Sequence, residues 1–156
     1  MQTRQIIPVT PNVIRRECPW LDVGKHCSIE VTSEEKSHPI EAALQAEGAP
    51  GWRAAVPGEQ IIRLIFDEPQ KVQRIWFVFE ELEFPRTQEC VLRSRSENAD
   101  FQEIVRQQWN FSPAGSVREI EDYAVELSEV RVLEIIVVPD KSAGQARASL
   151  RCLRLA

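Results

Sequence analysis

The sequence lacks most features that would assign it to a membrane, disulfide-rich or catalytic class. Its uninterrupted apolar stretches are only a few residues long, far short of the roughly 18 that a membrane-spanning helix requires. No two cysteines form a Cys-x-x-Cys pair, which argues against a zinc ribbon or a thioredoxin-type site. With 2 histidines in the chain, His26 and His38, catalysis that depends on histidine has few candidates.

An excess of positive charge is also missing. The chain has 19 Lys and Arg against 24 Asp and Glu, which gives a net charge of -5. Nucleic acids and anionic membranes attract a positive field, so we expect neither as a partner. The N-terminal residues contain no continuous apolar segment of the kind found in secretory signals, so we expect a cytoplasmic protein with free thiols.

The 156 residues fit a single domain. A domain of this length buries roughly 70% of the surface of its unfolded chain, so it needs no metal or disulfide to fold. Residues 1–17 contain Pro8 and Pro11, and we expect them to form an extended arm. Residues 18–156 then form the domain.

Short β-rich runs separated by turn residues recur along the chain, and this pattern is typical of a sandwich or a barrel. It predicts an all-β jelly-roll sandwich of about eight antiparallel strands. One short helix is predicted at 39–45, where Pro39 suits the first helical position. The predicted strands are 28–32, 60–66, 72–80, 89–95, 101–109, 117–127, 132–138 and 148–155.

If consecutive strands run in opposite directions, their connections alternate between the two ends of the sandwich. The short connections 67–71, 96–100 and 128–131 then share one end. The longer connections share the other end, and binding surfaces are usually built on long loops held by a rigid scaffold. We therefore expect the functional surface at the end that carries loops 33–59, 81–88, 110–116 and 139–147.

Several segments resemble the discoidin family, also called coagulation factor 5/8 type C domains. The resemblance begins with Leu21-Asp-Val-Gly-Lys25, Ile29 to Glu35 and His38-Pro-Ile-Glu-Ala-Ala-Leu44. It continues through Gly51-Trp-Arg and the run Gln60-Ile-Ile-Arg-Leu, then Leu92 to Phe101, and closes with Ala148 to Leu155.

The resemblance implies a galactose-binding-like jelly roll and a family of non-catalytic modules that bind carbohydrate, lipid head groups or protein. In this family a tryptophan at the position of Trp52 packs under a loop. Many members hold calcium in an acidic loop, but here the loop Gln45 to Gly51 has one carboxylate, so we expect no cofactor. In some members a disulfide joins the first and last strands. A Cys18–Cys152 bridge would be the equivalent here, but we see no secretory signal, which argues against this disulfide.

Candidate ligand-binding residues follow from the long loops and their polar or aromatic side chains. Arginine forks bind carboxylates, phosphates or vicinal hydroxyls, and flat rings stack on the apolar faces of sugars. Trp76, in contrast, lies in a continuous apolar run and is predicted to be a core residue. The candidates are His38, Trp52, Arg53, Arg86, Trp109 and Asn110.

Three functions remain open at this point. The leading hypothesis is a non-catalytic module that binds a carbohydrate or another small polar ligand. The second is an intracellular protein–protein adaptor, which predicts either an exposed apolar patch of several hundred Å2 or a stable oligomer. The third is a glycosidase that acts through Glu80, Glu81 and Glu83, which requires two converging carboxylates. The oligomeric state does not follow from the sequence.

Overall fold

The computed structural model describes residues 20–45, 49–142 and 144–156. The predicted arm 1–17 and Cys18 lie outside these ranges. Within them, no helix has the length and apolarity needed to cross a bilayer. The helices of this part of the chain are α1 (Val23–His26) and α2 (Glu41–Leu44). The strands are β1 (Cys27–Val31), β2 (Trp52–Arg53), β3 (Gln60–Glu80), β4 (Arg86–Arg95), β5 (Gln102–Phe111), β6 (Arg118–Val138), β7 (Ser149–Leu150) and β8 (Cys152–Leu155).

The two long strands, β3 and β6, belong to both layers of a sandwich. The first half of β3 pairs with β1 and with the second half of β6. The second half of β3 pairs with β8 and with the first half of β6, where Phe77 lies opposite Glu121. The β3–β6 register is irregular between Ile65 and Arg74. Such irregularities bend strands, and this one carries both strands from one layer into the other.

Hydrogen bonds join these strands into one six-stranded sheet, with the order β1-β3-β6-β4-β5 and with β8 added to β3, while β2 and β7 form a separate pair. The bend in β3 and β6 divides the six-stranded sheet into the two layers, the first with β1, β4 and β5 and the second with β8. All of these pairs are antiparallel, so the predicted all-β sandwich is confirmed. The predicted runs 60–66 and 72–80 form one continuous strand, as do 117–127 and 132–138, because pairing resumes on each side of the bend. The sequence did not predict α1 or the two-residue strand β2.

The core lies between the layers. Burial alternates along the first half of β3, as expected for a strand with one face inward. Phe77 and Phe79 pack edge-on against Trp109 of β5, with ring centroids 6.4 and 5.3 Å away. Trp76, predicted as a core residue, instead lies half-buried on the outer face of the second layer, its ring 6.3 Å from that of Trp20.

A row of alternating charges crosses the outer face of the first layer. Glu30, Arg63, Glu134 and Arg93 are successive register partners on β1, β3, β6 and β4. The Glu134 side chain is 0% exposed, and it accepts hydrogen bonds from Arg63 Nε at 2.6 Å and from Arg93 Nε at 2.8 Å. Burial alone would raise the pKa of Glu134, but the two guanidinium groups hold it below its ordinary value.

We expect Glu134→Gln to lower the free energy of unfolding by about 2 kcal/mol at pH 7, because a buried carboxylate no longer holds two guanidinium groups. The folded-state pKa of Glu134 lies below its unfolded value. Its stabilisation is therefore present above the unfolded pKa and is lost as the pH falls through the folded value. Urea denaturation between pH 7 and pH 2 measures both effects.

The matched control for this substitution is Glu103→Gln. Glu103 lies opposite Arg93 on β5 and forms an exposed ion pair with Arg106. Exposed pairs contribute little, so the control should change stability by less than about 0.5 kcal/mol. Equal losses for the two variants, or a Glu134→Gln effect that does not change with pH, would contradict the assignment.

Candidate functional site

One end of the sandwich carries a cavity of about 520 Å3. Its lining comes from three chain segments, residues 38–53, 80–86 and 140–151. They correspond to three of the four predicted long loops. The fourth loop, 110–116, lies at the same end, since Phe111 pairs with Arg86, but none of these seven described residues lines the cavity.

The short pair β2–β7 forms one side of the cavity. Trp52 lies opposite Leu150 in this pair. Gly51 precedes it with a φ of +81°, and a Cβ at this position would lie 2.8 Å from the carbonyl oxygen of Leu150. Only glycine satisfies both conditions. The close approach fixes Trp52 under the loop, where it is 1% exposed and its Nε1 donates to the carbonyl oxygen of Ser33 at 3.0 Å.

Arg86 is a buried cation beside the cavity, with a side chain that is 2% exposed. Its Nε donates to Glu81 Oε1 at 2.7 Å, and its Nη1 donates to Gln88 Oε1 at 2.8 Å and to the carbonyl oxygen of Pro139. Glu81 follows β3, Gln88 lies within β4 and Pro139 follows β6. One guanidinium group therefore joins three segments of the chain, and its charge is already balanced before a ligand arrives.

The segment after β6 is fixed to β4 in a second way. The backbone N–H of Lys141 donates to the carbonyl oxygen of Thr87 at 2.7 Å. Asp140 Oδ1 accepts hydrogen bonds from the N–H and the hydroxyl of Ser142 at 3.1 and 2.8 Å. Desolvation opposes ionisation, but these bonds and the charge of Arg86 hold the pKa of Asp140 below its ordinary value. Asp140 is thus an ionised group that closes a turn.

The polar wall of the cavity consists of His38, Arg53 and Arg147, joined by Glu35. Arg147 Nη1 lies 2.8 Å from Glu35 Oε2, and Arg53 Nε lies 3.7 Å from the same oxygen. His38 Nδ1 lies 3.4 Å from Glu35 Oε1. Backbone bonds from Glu35 N–H to Arg53 C=O and from Arg53 N–H to His38 C=O hold the three residues of this loop together. The wall presents hydrogen-bonding groups in a fixed arrangement.

The apolar wall consists of Leu82 and Phe84, which are 64% and 63% exposed. Glu81 Oε2 accepts hydrogen bonds from the N–H groups of Glu83 and Phe84 at 3.0 and 3.4 Å, so the turn that carries both side chains is ordered. Burial alone would raise the pKa of Glu81, but the N–H of Glu83 and the guanidinium of Arg86 hold it below its ordinary value. Two large exposed apolar side chains therefore line the same cavity.

The structure brings together most of the predicted site residues. Trp109 and Asn110 lie outside the cavity lining. Trp109 is 8% exposed in the core, and Asn110 Oδ1 accepts a hydrogen bond from Thr87 Oγ1 at 2.7 Å. Strand alternation explains this, because it turns Trp109 inward and Asn110 outward. A ligand-binding role for the six candidates stays a prediction. Those that line the cavity are His38, Trp52, Arg53 and Arg86.

Sequence reasoning missed other residues of the site. Leu82 and Phe84 do carry a local signal, since two large apolar side chains fall in a turn segment where polar residues are usual. Glu35 and Arg147 carry none, because they are 112 positions apart and meet only through the pairing of β2 with β7.

The acidic residues Glu80, Glu81 and Glu83 all line the cavity. A glycosidase that uses two carboxylates needs one of them protonated, with a raised pKa, to protonate the leaving group. The pKa of Glu81 moves in the opposite direction. Glu81 is therefore suited to holding Arg86 and the turn rather than to donating a proton.

The side chains of residues 20–45, 49–142 and 144–156 include no group of three His, Cys, Asp or Glu placed to hold a metal ion. Loop 45–51 corresponds to the calcium-binding loop of the discoidin family. Its one carboxylate belongs to Glu47, which lies outside the described residues. Calcium takes six to eight oxygen ligands, which this loop does not offer from its side chains. Cys27, Cys90 and Cys152 are free thiols, and the proposed partner Cys18 lies outside the described residues.

No family model and no curated protein matches the chain by sequence. The family 32 carbohydrate-binding module of NanJ from C. perfringens, solved with galactose, matches with a TM-score of 0.65 at 12% identity, covering 87% of this chain and 96% of that one.

Two further structures match to a similar extent. A pectin-binding carbohydrate-binding module gives a TM-score of 0.61 at 13% identity, covering 83% of this chain and 89% of that one. The family 32 module of AlyQ, solved with 4,5-unsaturated mannuronic acid, gives 0.64 at 14% identity, covering 89% and 98%. At these identities the likeness establishes the fold, which is the galactose-binding-like jelly roll of these modules.

Proposed function

We propose that this domain is a non-catalytic carbohydrate-binding module whose ligand lies in the end cavity. The observation that carries the proposal is the joint lining of one cavity by an exposed apolar pair and a fixed cluster of hydrogen-bonding groups. A pyranose ring has an apolar C–H face and a rim of hydroxyl groups, so it fits such a lining. Apolar pockets with a few placed polar groups are the usual form of small-ligand sites.

Each wall has a distinct role in this proposal. The Phe84 ring stacks against the C–H face of the sugar, with Leu82 beside it. The guanidinium groups of Arg53 and Arg147 donate hydrogen bonds to hydroxyl oxygens, and Glu35 keeps both groups oriented. Arg86 holds the scaffold, because its Nε and Nη1 are already engaged.

The structural neighbours support carbohydrate as the ligand class. Each of the three is a carbohydrate-binding module, and two were solved with a bound sugar, galactose in NanJ and an unsaturated mannuronic acid in AlyQ. Their sugars do not transfer to this chain at 12–14% identity. They support the class of ligand but not its identity.

The proposal includes no catalytic step. Two hydrogen bonds from N–H groups and one from Arg86 keep Glu81 ionised, so it does not supply the acid that glycoside hydrolysis needs. The expected outcome with chromogenic glycosides is the absence of turnover.

The test of the proposed function is a titration with simple sugars, read by calorimetry and by NMR. Phe84→Ala should weaken the binding of a bound sugar by roughly tenfold, because a ring–sugar contact is worth about 1–1.5 kcal/mol. Ile120→Ala is the control, since Ile120 is 51% exposed on β6 and does not line the cavity. Unchanged affinity in Phe84→Ala, or an equal loss in the control, would rule out this position for the sugar.

We also propose that binding is independent of calcium, because the loop 45–51 contains a single carboxylate. Dialysis against EDTA should leave the sugar affinity within about twofold of its value in millimolar calcium. The same titration checks this. A loss of binding in EDTA that added calcium restores would show that a cation site exists.

A protein partner is the second candidate, and the exposure of Leu82 and Phe84 favours it as well. A stable protein interface needs more area than two side chains, about 800 Å2 from each partner. If no sugar perturbs the NMR signals of the cavity residues, while Phe84→Ala abolishes capture of a partner, the adaptor function replaces the sugar-binding function.

A further inference from the structure

We infer that the cavity selects an anionic sugar, with a carboxylate or a sulfate group lying against Arg53, Arg147 and Arg151. The inference rests on the proposed function, since it names the ligand class of the same cavity. It depends on an unequal distribution of charge within the cavity lining. The sequence alone did not show this, because the chain as a whole carries a net charge of -5.

Arg53, Arg147 and Arg151 line the same cavity, and the first two share a single carboxylate, that of Glu35. Arg147 and Arg53 share Glu35, at 2.8 and 3.7 Å from one of its oxygens. The side chain of Arg151 forms no ion pair or hydrogen bond with residues 20–45, 49–142 or 144–156, although its backbone N–H donates to Val78. Two positive charges in this group are therefore not compensated.

The acidic residues of the lining form no direct ion pair with these three arginines among the described residues. Glu81 is paired with Arg86 at 2.7 Å, and Asp140 is bound by the N–H and hydroxyl of Ser142. Glu80 and Glu83 also line the cavity, but among the described residues no ion pair within 4.0 Å joins either of them to an arginine. The cavity lining therefore has a positive region at Arg53, Arg147 and Arg151 and a negative region at Glu80 and Glu83.

Without a ligand, water solvates the positive charge that Glu35 does not neutralise. The side chains of Arg53 and Arg147 are 51% and 39% exposed. A sugar in the cavity removes part of this water, and a hydroxyl oxygen replaces it without supplying charge. A carboxylate or sulfate supplies the charge and accepts two parallel hydrogen bonds from one guanidinium fork. The anionic sugar should therefore bind more tightly than the neutral sugar with the same ring.

The direct test compares dissociation constants within matched pairs of sugars, measured by calorimetry at low salt. The probes are galactose with galacturonic acid, glucose with glucuronic acid, and galactose with galactose-6-sulfate. Where a sugar pair binds, we expect the anionic sugar to have a dissociation constant about tenfold lower than that of its neutral partner. The difference corresponds to one additional charge-assisted hydrogen-bonded pair. Raising the ionic strength toward 0.5 M should reduce that preference.

The outcomes separate a failure of the anionic-sugar inference from a failure of the proposed carbohydrate-binding function. Preference for the carboxylate or for the sulfate member supports the inference and identifies which anion the arginines hold. A neutral sugar that binds as well as or better than its anionic partner overturns the inference and leaves the proposed function standing. If no sugar in the panel binds, both fail.

Substitution of single arginines assigns the preference to these side chains. Arg53→Gln and Arg147→Gln should each weaken binding of the anionic sugar by about tenfold and the neutral sugar by less. Arg106→Gln is the matched control, because Arg106 is 53% exposed, pairs with Glu89 and Glu103, and does not line the cavity. Equal losses for both members of a sugar pair, or a loss in the control, would overturn the assignment. Thermal denaturation confirms that each variant is folded.

Discussion

The site depends on one desolvated charge, the guanidinium group of Arg86. A buried cation without partners is costly, so the Nε and Nη1 groups of Arg86 need hydrogen-bond acceptors. Glu81, Gln88 and Pro139 meet that requirement from three separate segments of the chain. Glu81 in turn binds the N–H groups of the turn that exposes Phe84. The apolar wall is therefore positioned by an ion pair that lies almost out of reach of water.

The charged residues around the cavity divide into two kinds. Arg86, Glu81 and Asp140 are bound at close range by neighbouring groups and serve the scaffold. Arg53 and Arg147 share one carboxylate and remain half-exposed. Groups of the first kind make the loops rigid, which lowers the entropy lost when a ligand binds. Groups of the second kind retain the capacity to bind it.

The sequence predicted the fold because its signals are local, whereas much of the site depends on contacts between distant segments. Short β-rich runs separated by turn residues predict the strands and the end that carries the long loops. Local patterns do not show that Arg147 meets Glu35, or that Gly51 packs on the backbone of Leu150. The sequence also did not show which way Trp109 points. A shift of one residue in a strand exchanges its core and solvent faces, so a tryptophan near a strand end can lie on either face.

The passage of β3 and β6 through both layers affects how the domain folds. Since each strand contributes to both layers, neither layer can form or separate as an independent unit. The pairing also joins residues that are far apart in the chain, such as Gln60 with Val137. Chains dominated by such distant pairings fold slowly, because loop closure precedes the gain from contacts. The cavity requires the same long-range pairing, because its lining comes from segments at both ends of these strands.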